Sequence, residues 1–545
     1  MQTRRRIALA AGVLPTGTVA GGPWMLLLAT GSGLLLATAF PPYGWWPAAP
    51  VAVAGLTLAC LGASARRGAG HGLAFGMVFF LTLFGWVRVI GVDAWVGLAL
   101  LESLFAALLG AGLAVVCRRG GWLLWSACLW VGAELLRARL PLGGMPWGRL
   151  AFSQADTPFT PYAALGGAPL VTFAVALAGG LLAGALMAGR TGGDGSRRRP
   201  VHVGAAAMLA AAVPLVAFAI PVGNTAATSR NAPDAVTVAM VQGNVPRTVD
   251  IEAVRTEAVL GNHVAATRQL AANVRGGQVV PPDLVIWPEN ASDIDPLRDP
   301  AARARVSGAV EAVGVPILVG AVVAGPGPDH LRNMGIVWRP RTGPDQTYTK
   351  RHLVPFGEYV PFRDALLPYI DRLRQIPRDF YAGQRVGVLQ VGPARVGDVI
   401  CFEVAYDGAV RDVVAAGARA IVVQTNNATY GGTSQPEQQL AIERLRAVEH
   451  GRSVLVAATS GISAIVAPDG RVMARSREFT RDTLVAPVPL RDTRTPADLV
   501  GALPEWVIAL AGLLACAVQG ATTVRNFRTT ARSTVRSSDR GGLEA

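Results

Sequence analysis

Runs of roughly 20 apolar residues, long enough to cross the hydrocarbon core of a bilayer as helices, fill residues 23–222 and return at 503–521. Nothing else in the chain restricts its fold as much. Inside a membrane every backbone polar group must be paired within the segment, so such runs are helical. Eight spans are predicted, near 23–40, 45–64, 71–90, 94–117, 121–136, 166–188, 201–221 and 503–521. They form an expected polytopic α-helical membrane bundle: a seven-span domain (23–222) and an eighth helix (503–521).

The arginines test this reading. Successive loops alternate between Arg-rich and Arg-poor. One side collects Arg4, Arg5, Arg6, Arg66, Arg67, Arg118, Arg119, Arg190, Arg197, Arg198 and Arg199, and then Arg525, Arg528, Arg532, Arg536 and Arg540 of the tail. The other side has only Arg88, Arg137, Arg139 and Arg149 in its short loops. Positive charge stays inside, so both termini are expected in the cytoplasm and residues 223–502 outside. The expected location is the cytoplasmic (inner) membrane, multi-pass, with residues 223–502 as an extracytoplasmic domain. The net charge of +14 is then topological and implies no nucleic-acid partner. Residues 1–22 start like a signal peptide with RRRIALAAGVL but lack a cleavage site; they are read as a cytoplasmic or interfacial lead. Residues 522–545, rich in Arg, Ser and Thr, are expected to be a disordered basic tail.

Outside the bundle the pattern changes. Between 233 and 495 short β-branched runs recur: AVTVAMVQ, DLVIWPE, PILVGAVV, RNMGIVW, VGDVICFE, ARAIVVQTN, SVLVAATS and SAIVAP. Helical stretches such as IEAVRTEAVLGNHVAATRQLAANV and QPEQQLAIERLRAVEH lie between several of them. Strands alternating with helices predict a layered α/β domain. Cys401 is its single cysteine, so no disulfide forms within it.

The 50 Lys and Arg residues include one lysine, Lys350. Arginine is planar and permanently charged, whereas lysine is a compact point charge that can approach a reacting centre. Three segments carry candidate chemistry: VIWPEN with Glu289, TYTKRHLVPFGEYVPF with Lys350, His352 and Glu358, and GDVICFEVAYDG with Cys401 and Glu403. Ligand sites gather at the strand ends of α/β sheets. A thiol attack needs a base for the proton and a cation for the oxyanion. Glu289 suits the first task. Lys350 suits the second, with backbone N–H groups near Phe402. Cys401, between a strand and an expected helix, would gain thiolate character from the helix dipole. Glu358 can orient Lys350 or the substrate amine, and Glu403 its neighbours. Taken singly, each residue has a plainer reading: Glu289 as a solvated loop charge, Cys401 as a small core residue. His352 is read as a structural hydrogen-bonding residue. No Cys/His cluster has metal-ligand spacing, and no metal or cofactor is expected.

The order Glu289, Lys350, Cys401, each in a strand-end motif, resembles the nitrilase (carbon–nitrogen hydrolase) superfamily, which implies an α-β-β-α sandwich. With the flanking spans, the chain resembles the apolipoprotein N-acyltransferase family. GMPWGRLAFSQADTP (144–158), VQGNVP (241–246), the three segments above and SGISAIVAPDGRV (460–472) carry that resemblance. It implies Glu289 as general base, Lys350 as oxyanion-stabilising cation and Cys401 as nucleophile, with Glu358 and Glu403 supporting. It implies a membrane phospholipid as acyl donor, a thioester on the enzyme and a diacylated apolipoprotein as acceptor. The run NNATYG (426–431), with Asn426 and Tyr430, matches a substrate-contacting loop but carries Thr429 where the family often has Trp. Ile251 lies where an aromatic is often found. Both departures bear on acyl-donor preference rather than on the triad. A membrane-tethered amidase that gives the acyl group to water is one rival; a non-catalytic membrane receptor is another. Segment 365–381, ALLPYIDRLRQIPRDFY, reads as an interfacial lid or as a packed surface helix. A monomer is expected.

Overall fold

The computed structural model describes residues 22–118, 120–190, 199–220, 235–245 and 252–521. The expectations for the leading segment, the tail and Ile251 lie outside the described residues, as does most of the Arg-rich loop before residue 199.

Each predicted span falls on a helix: Pro23–Ala37, Ala48–Cys60, Ala65–Leu83, Val92–Val116, Trp122–Arg137, Ala163–Arg190, Arg199–Val216 and Leu503–Ala521. Among the described residues, three apolar stretches are long enough to cross a membrane: Val92–Val116, Thr160–Ala188 and Leu503–Ala521. The third helix starts earlier than predicted. Ser64 caps it by accepting the Arg67 N–H, so Arg66 and Arg67 form its first turn. Gly68, Gly72 and Gly76 then let it press against Val92–Val116. A Cβ on Gly72 would lie 2.1 Å from the Ala106 carbonyl oxygen, the small-residue packing that membrane helices favour.

The β-branched runs build two sheets. The first has strand order β13-β1-β2-β3-β4-β5, with β6 beside β4, and the second β12-β11-β10-β9-β8-β7. The first comprises β1 (Ala235–Gln242), β2 (Leu284–Ile286), β3 (Ile317–Ala324), β4 (His330–Arg339), β5 (Gly343–Thr349), β6 (Asp379–Phe380) and β13 (Asp482–Pro489). The second comprises β7 (Val388–Val391), β8 (Ala394–Ile400), β9 (Ala420–Thr425), β10 (Val454–Ala458), β11 (Ala464–Val466) and β12 (Val472–Arg475). Val238, Met240, Ile286 and Val337 of the first sheet meet Val396, Ile400, Val422 and Leu455 of the second in one apolar core. Helices Glu252–Arg275 and Pro300–Val313 cover the outer face of the first sheet. Helices Asp407–Ala415 and Gln435–His450 cover the other sheet, which completes the α-β-β-α order.

That last helix layer is also a contact layer for the bundle. One continuous core runs from Phe75 and Trp147 to Val404, Leu445 and Val448. Segment 365–381 is no single helix: a four-residue turn of helix (Arg363–Leu366) and a 3-10 turn (Asp371–Gln375) leave Tyr369 exposed. Arg372 pairs with Asp93 at the start of Val92–Val116, Nη1 to Oδ1 2.6 Å, and ties this segment to the bundle rim.

Candidate active site

Strand β8 ends at Ile400, and the chain turns at once. Cys401 has φ +56°, a left-handed conformation that costs an L-residue about 1–2 kcal/mol. Glu403 holds the turn. Its fully buried carboxylate accepts the Ile400 N–H (2.8 Å), the Arg351 N–H (2.8 Å), the His352 N–H (3.0 Å) and the Tyr348 hydroxyl (2.9 Å). One side chain thus pins the end of β5 to the cysteine turn. Burial works against its charge, but the His352 ring and the backbone donors win and hold the carboxyl below its ordinary value. His352 stacks on Tyr406 with centroids 4.7 Å apart.

Lys350 lies just past the end of β5, buried at 1% exposure. Its Nζ donates to Glu289 Oε1 at 3.2 Å and to Glu358 Oε1 at 3.0 Å. Burial pushes its pKa down, but the Glu289 and Glu358 carboxylates outweigh that and hold it well above the usual value. Asn333 of β4, which sequence reasoning missed, bridges the same two carboxylates. Its Nδ2 donates to Glu289 Oε1 at 2.7 Å and to Glu358 Oε1 at 3.0 Å. Glu358 is held by the Val354 N–H at 2.8 Å through its other oxygen. Glu289 Oε2 accepts the Asn426 N–H at 2.7 Å, so the carboxylate reaches the loop after β9, beside the cysteine.

The thiol corrects one expectation. Cys401 opens a 3-10 turn (Cys401–Ala405), not an α-helix, so no long helix dipole acts on it. Burial and then the charge of Glu289 push the thiol up to about 12, against the pull of Lys350 and of hydrogen bonds from Thr425 and the Asn426 backbone. The sulfur rests protonated beside a carboxylate, an arrangement suited to base-assisted attack rather than to a standing thiolate. Thr425, a second residue missed from sequence, donates its hydroxyl to Sγ at 3.2 Å. Asp398 of β8 is buried with both carboxyl oxygens unbonded within the protein. Burial, then the charges of Glu403 and Glu289, pushes its carboxyl well above the ordinary carboxylate value.

The remaining candidates line the side toward the bundle. The ring of Phe402 lies 4° from parallel to the Trp147 indole, centroids 5.5 Å apart. Tyr430 meets Trp86 edge-on at 5.1 Å. Both indoles donate to Gln438 Oε1, Trp147 at 2.8 Å and Trp86 at 3.2 Å. Asn426 Oδ1 accepts from Thr459 at 2.8 Å. Thr429, in the place where the family often has Trp, is exposed.

Comparisons with known proteins bear on the family. Residues 32–181 match the apolipoprotein N-acyltransferase N-terminal domain, and residues 237–497 match the carbon-nitrogen hydrolase family. The apolipoprotein N-acyltransferase of Mycolicibacterium smegmatis is 40% identical over 530 residues, covering 94% of this chain and 88% of that one. The chain belongs to the apolipoprotein N-acyltransferase family. The relative from Geobacter metallireducens is 28% identical over 495 residues, covering 88% of this chain and 92% of its own. Among solved structures, the amidase from Nesterenkonia sp. AN1 aligns at 20% identity over 49% of this chain and 94% of its own. Its TM-score of 0.36 is too low to add to the argument.

In this N-acyltransferase the two matched regions share the site. Trp147 comes from the first and Phe402 from the second. Asp407, six residues past the cysteine, accepts from Arg149 and Arg446, each at 2.6 Å. Arg149 also pairs with Glu134 of helix Trp122–Arg137, and Arg137 with Glu102 at 2.9 Å. Arg137 and Arg149, two of the few arginines in the Arg-poor loops, are therefore consumed in buried pairs.

Proposed function

We propose that this acyltransferase moves a fatty acyl chain from a membrane phospholipid to the N-terminal α-amine of a diacylglyceryl-cysteine apolipoprotein. The observation that supports it is the convergence of the three residues: Lys350 donates to Glu289, and the Asn426 N–H that Glu289 accepts also bonds the Cys401 sulfur. Glu289 takes the thiol proton as Sγ attacks the ester carbonyl. Lys350 has three N–H groups; two point at Glu289 and Glu358, and the third meets the oxyanion. The C–O bond then breaks, Glu289 returns the proton to the leaving lysophospholipid, and a thioester remains on Cys401. The acceptor amine attacks that thioester, gives its proton to Glu289 and expels the sulfur, which is reprotonated.

Glu358, Asn333 and Glu403 position this machinery, and Asn426, Phe402 and Tyr430 face the substrate. The eight helices all span the membrane, in a bundle of 23–222 joined by 503–521. Both ends lie in the cytoplasm, and the catalytic domain, residues 223–502, stands outside. That topology brings two lipid-anchored substrates to the site sideways through the bilayer, and the enzyme works as a monomer. The test is intact mass after mixing with phospholipid. A gain of one acyl chain on the Cys401 peptide, discharged by a diacylated lipopeptide, is expected. Steady release of free fatty acid, with no response to the lipopeptide, would mark a hydrolase instead.

A further inference from the structure

A second line of polar side chains reaches the Cys401 sulfur, and the mechanism above does not use it. Thr425, at the end of β9, lies against helix Gln435–His450, and Gln439 of that helix faces it. Gln439 has its hydrogen-bonding capacity filled. Its Nε2 donates to Thr425 Oγ1 at 3.1 Å and to Glu443 Oε1 at 2.9 Å. Its Oε1 accepts from the amides of Asn427 and Gln435, each at 3.1 Å. In this network, turning over the Gln439 amide by itself would set its N–H groups against the amide donors of Asn427 and Gln435.

This orientation decides what Thr425 does. Its oxygen already accepts from the Gln439 amide, and its own proton has three acceptors: Cys401 Sγ at 3.2 Å, Asn427 Oδ1 at 3.3 Å and, most distant, Gln439 Oε1 at 3.5 Å. A sulfur that gains negative charge is the strongest acceptor of the three. Glu443 stands one helical turn from Gln439, an i, i+4 pair, and is 1% exposed. Burial pushes its carboxyl up to about 8, against the hydrogen bond from Gln439. In either protonation state it keeps an oxygen for the Gln439 N–H.

We infer that Thr425 is a further catalytic residue whose hydroxyl donates to the Cys401 sulfur as it ionises. Gln439 and Glu443 are positioning residues that aim this hydroxyl. The inference rests on Cys401 being the nucleophile. It adds to that reading a means of stabilising charge on sulfur that is separate from Lys350.

The experiment is alkylation of Cys401 by iodoacetamide in the purified full chain, followed by peptide mass across a pH series. The charges acting on the sulfur are Glu289 and Lys350, with Tyr430 close by; none changes in the variants. A hydrogen bond to a charged group is lost in Thr425→Val, so alkylation at pH 8 should fall about 10-fold and the profile move to higher pH. Thr425→Ser should restore it. Glu443→Leu should slow alkylation about 3-fold, since the freed amide no longer fixes Thr425. Glu443→Gln, which keeps an accepting oxygen, should rescue it. Glu443→Leu should add nothing in the Thr425→Val background, the signature of two residues acting through one path. Wild-type alkylation by Thr425→Val overturns the inference. So does a Glu443→Leu effect equal in both backgrounds, which would mark a general loosening of the fold. Should Thr425→Val unfold, Glu443→Leu against Glu443→Gln carries the same decision. Acyl transfer by Cys401→Ala would instead dismiss the nucleophile reading, and the alkylation rates distinguish the two failures.

Discussion

Trp147 and Phe402 lie flat against each other, 4° from parallel at 5.5 Å, although 254 positions separate them in the chain. One belongs to the loop after helix Trp122–Arg137, the other follows the cysteine. Trp147 also donates to Gln438 at 2.8 Å. Trp147→Ala removes the platform beneath Phe402 and leaves the buried Gln438 amide oxygen short of a donor; an aromatic pair is worth about 0.5–1.5 kcal/mol beyond its area. Acyl transfer should fall more than tenfold in Trp147→Ala and much less in Trp147→Phe, which keeps the stack. Equal losses in the two variants would assign the effect to the hydrogen bond alone.

Lys350→Arg keeps the charge but should fail. The ammonium fits between Glu289 and Glu358 at 3.2 and 3.0 Å with 1% exposure. A planar guanidinium does not fit that space and cannot meet an oxyanion from it. Loss of one such donor costs about 10²–10³ in rate. Acyl-enzyme formation by well-folded Lys350→Arg protein is the measurement, and a near-normal rate refutes the role.

The thiol yields a pH prediction. Its pKa is raised to about 12 from an ordinary 9.0, so the proton stays on well above the pH at which a free thiol loses it. Alkylation of Cys401 should therefore keep rising roughly tenfold per pH unit beyond pH 9, where a free thiol levels off. In Glu289→Gln the second cause of the shift is gone, and alkylation at pH 8 should speed up although acylation by phospholipid slows. A plateau near pH 9 in the native protein would remove the protonated resting state.

Much of this site was readable because its chemistry sits at strand ends with local signatures. The eight β-branched runs each became a strand, and the Glu289, Lys350 and Cys401 segments come together just past the ends of β2, β5 and β8. Strands β5 and β13 escaped notice because GPDQTYT reads as polar and DTLVAPVP carries two prolines. β13 tolerates them as an edge strand beside β1. Asn333 and Thr425 lie within apolar runs, and only the pairing of neighbouring strands reveals what they touch. The thiol's direction of shift was misread because motif spacing carries no information on burial or on the length of the helix that follows.

Asp407→Asn should destabilise the molecule more than it alters chemistry. Its carboxylate lies between Arg149 and Arg446, which are 2% and 0% exposed at their side chains. Removing one partner of a buried pair costs about 3–5 kcal/mol. Asp345→Asn, which breaks an exposed pair with Arg339, should cost less than about 1 kcal/mol. Thermal unfolding in detergent compares the two, and similar Tm losses would contradict the buried junction.

The helix Gln435–His450 has 14 of its 16 residues buried, because one side rests on the sheet and the other on the bundle. No scissors can follow a boundary drawn along the sequence here. A freestanding catalytic half, cut loose for use in water, would bare Gln438 without its tryptophan partners and Asp407 without Arg149, along with an apolar strip meant for neighbouring helices. Obtaining a soluble version is thus a matter of repainting a surface rather than trimming a chain.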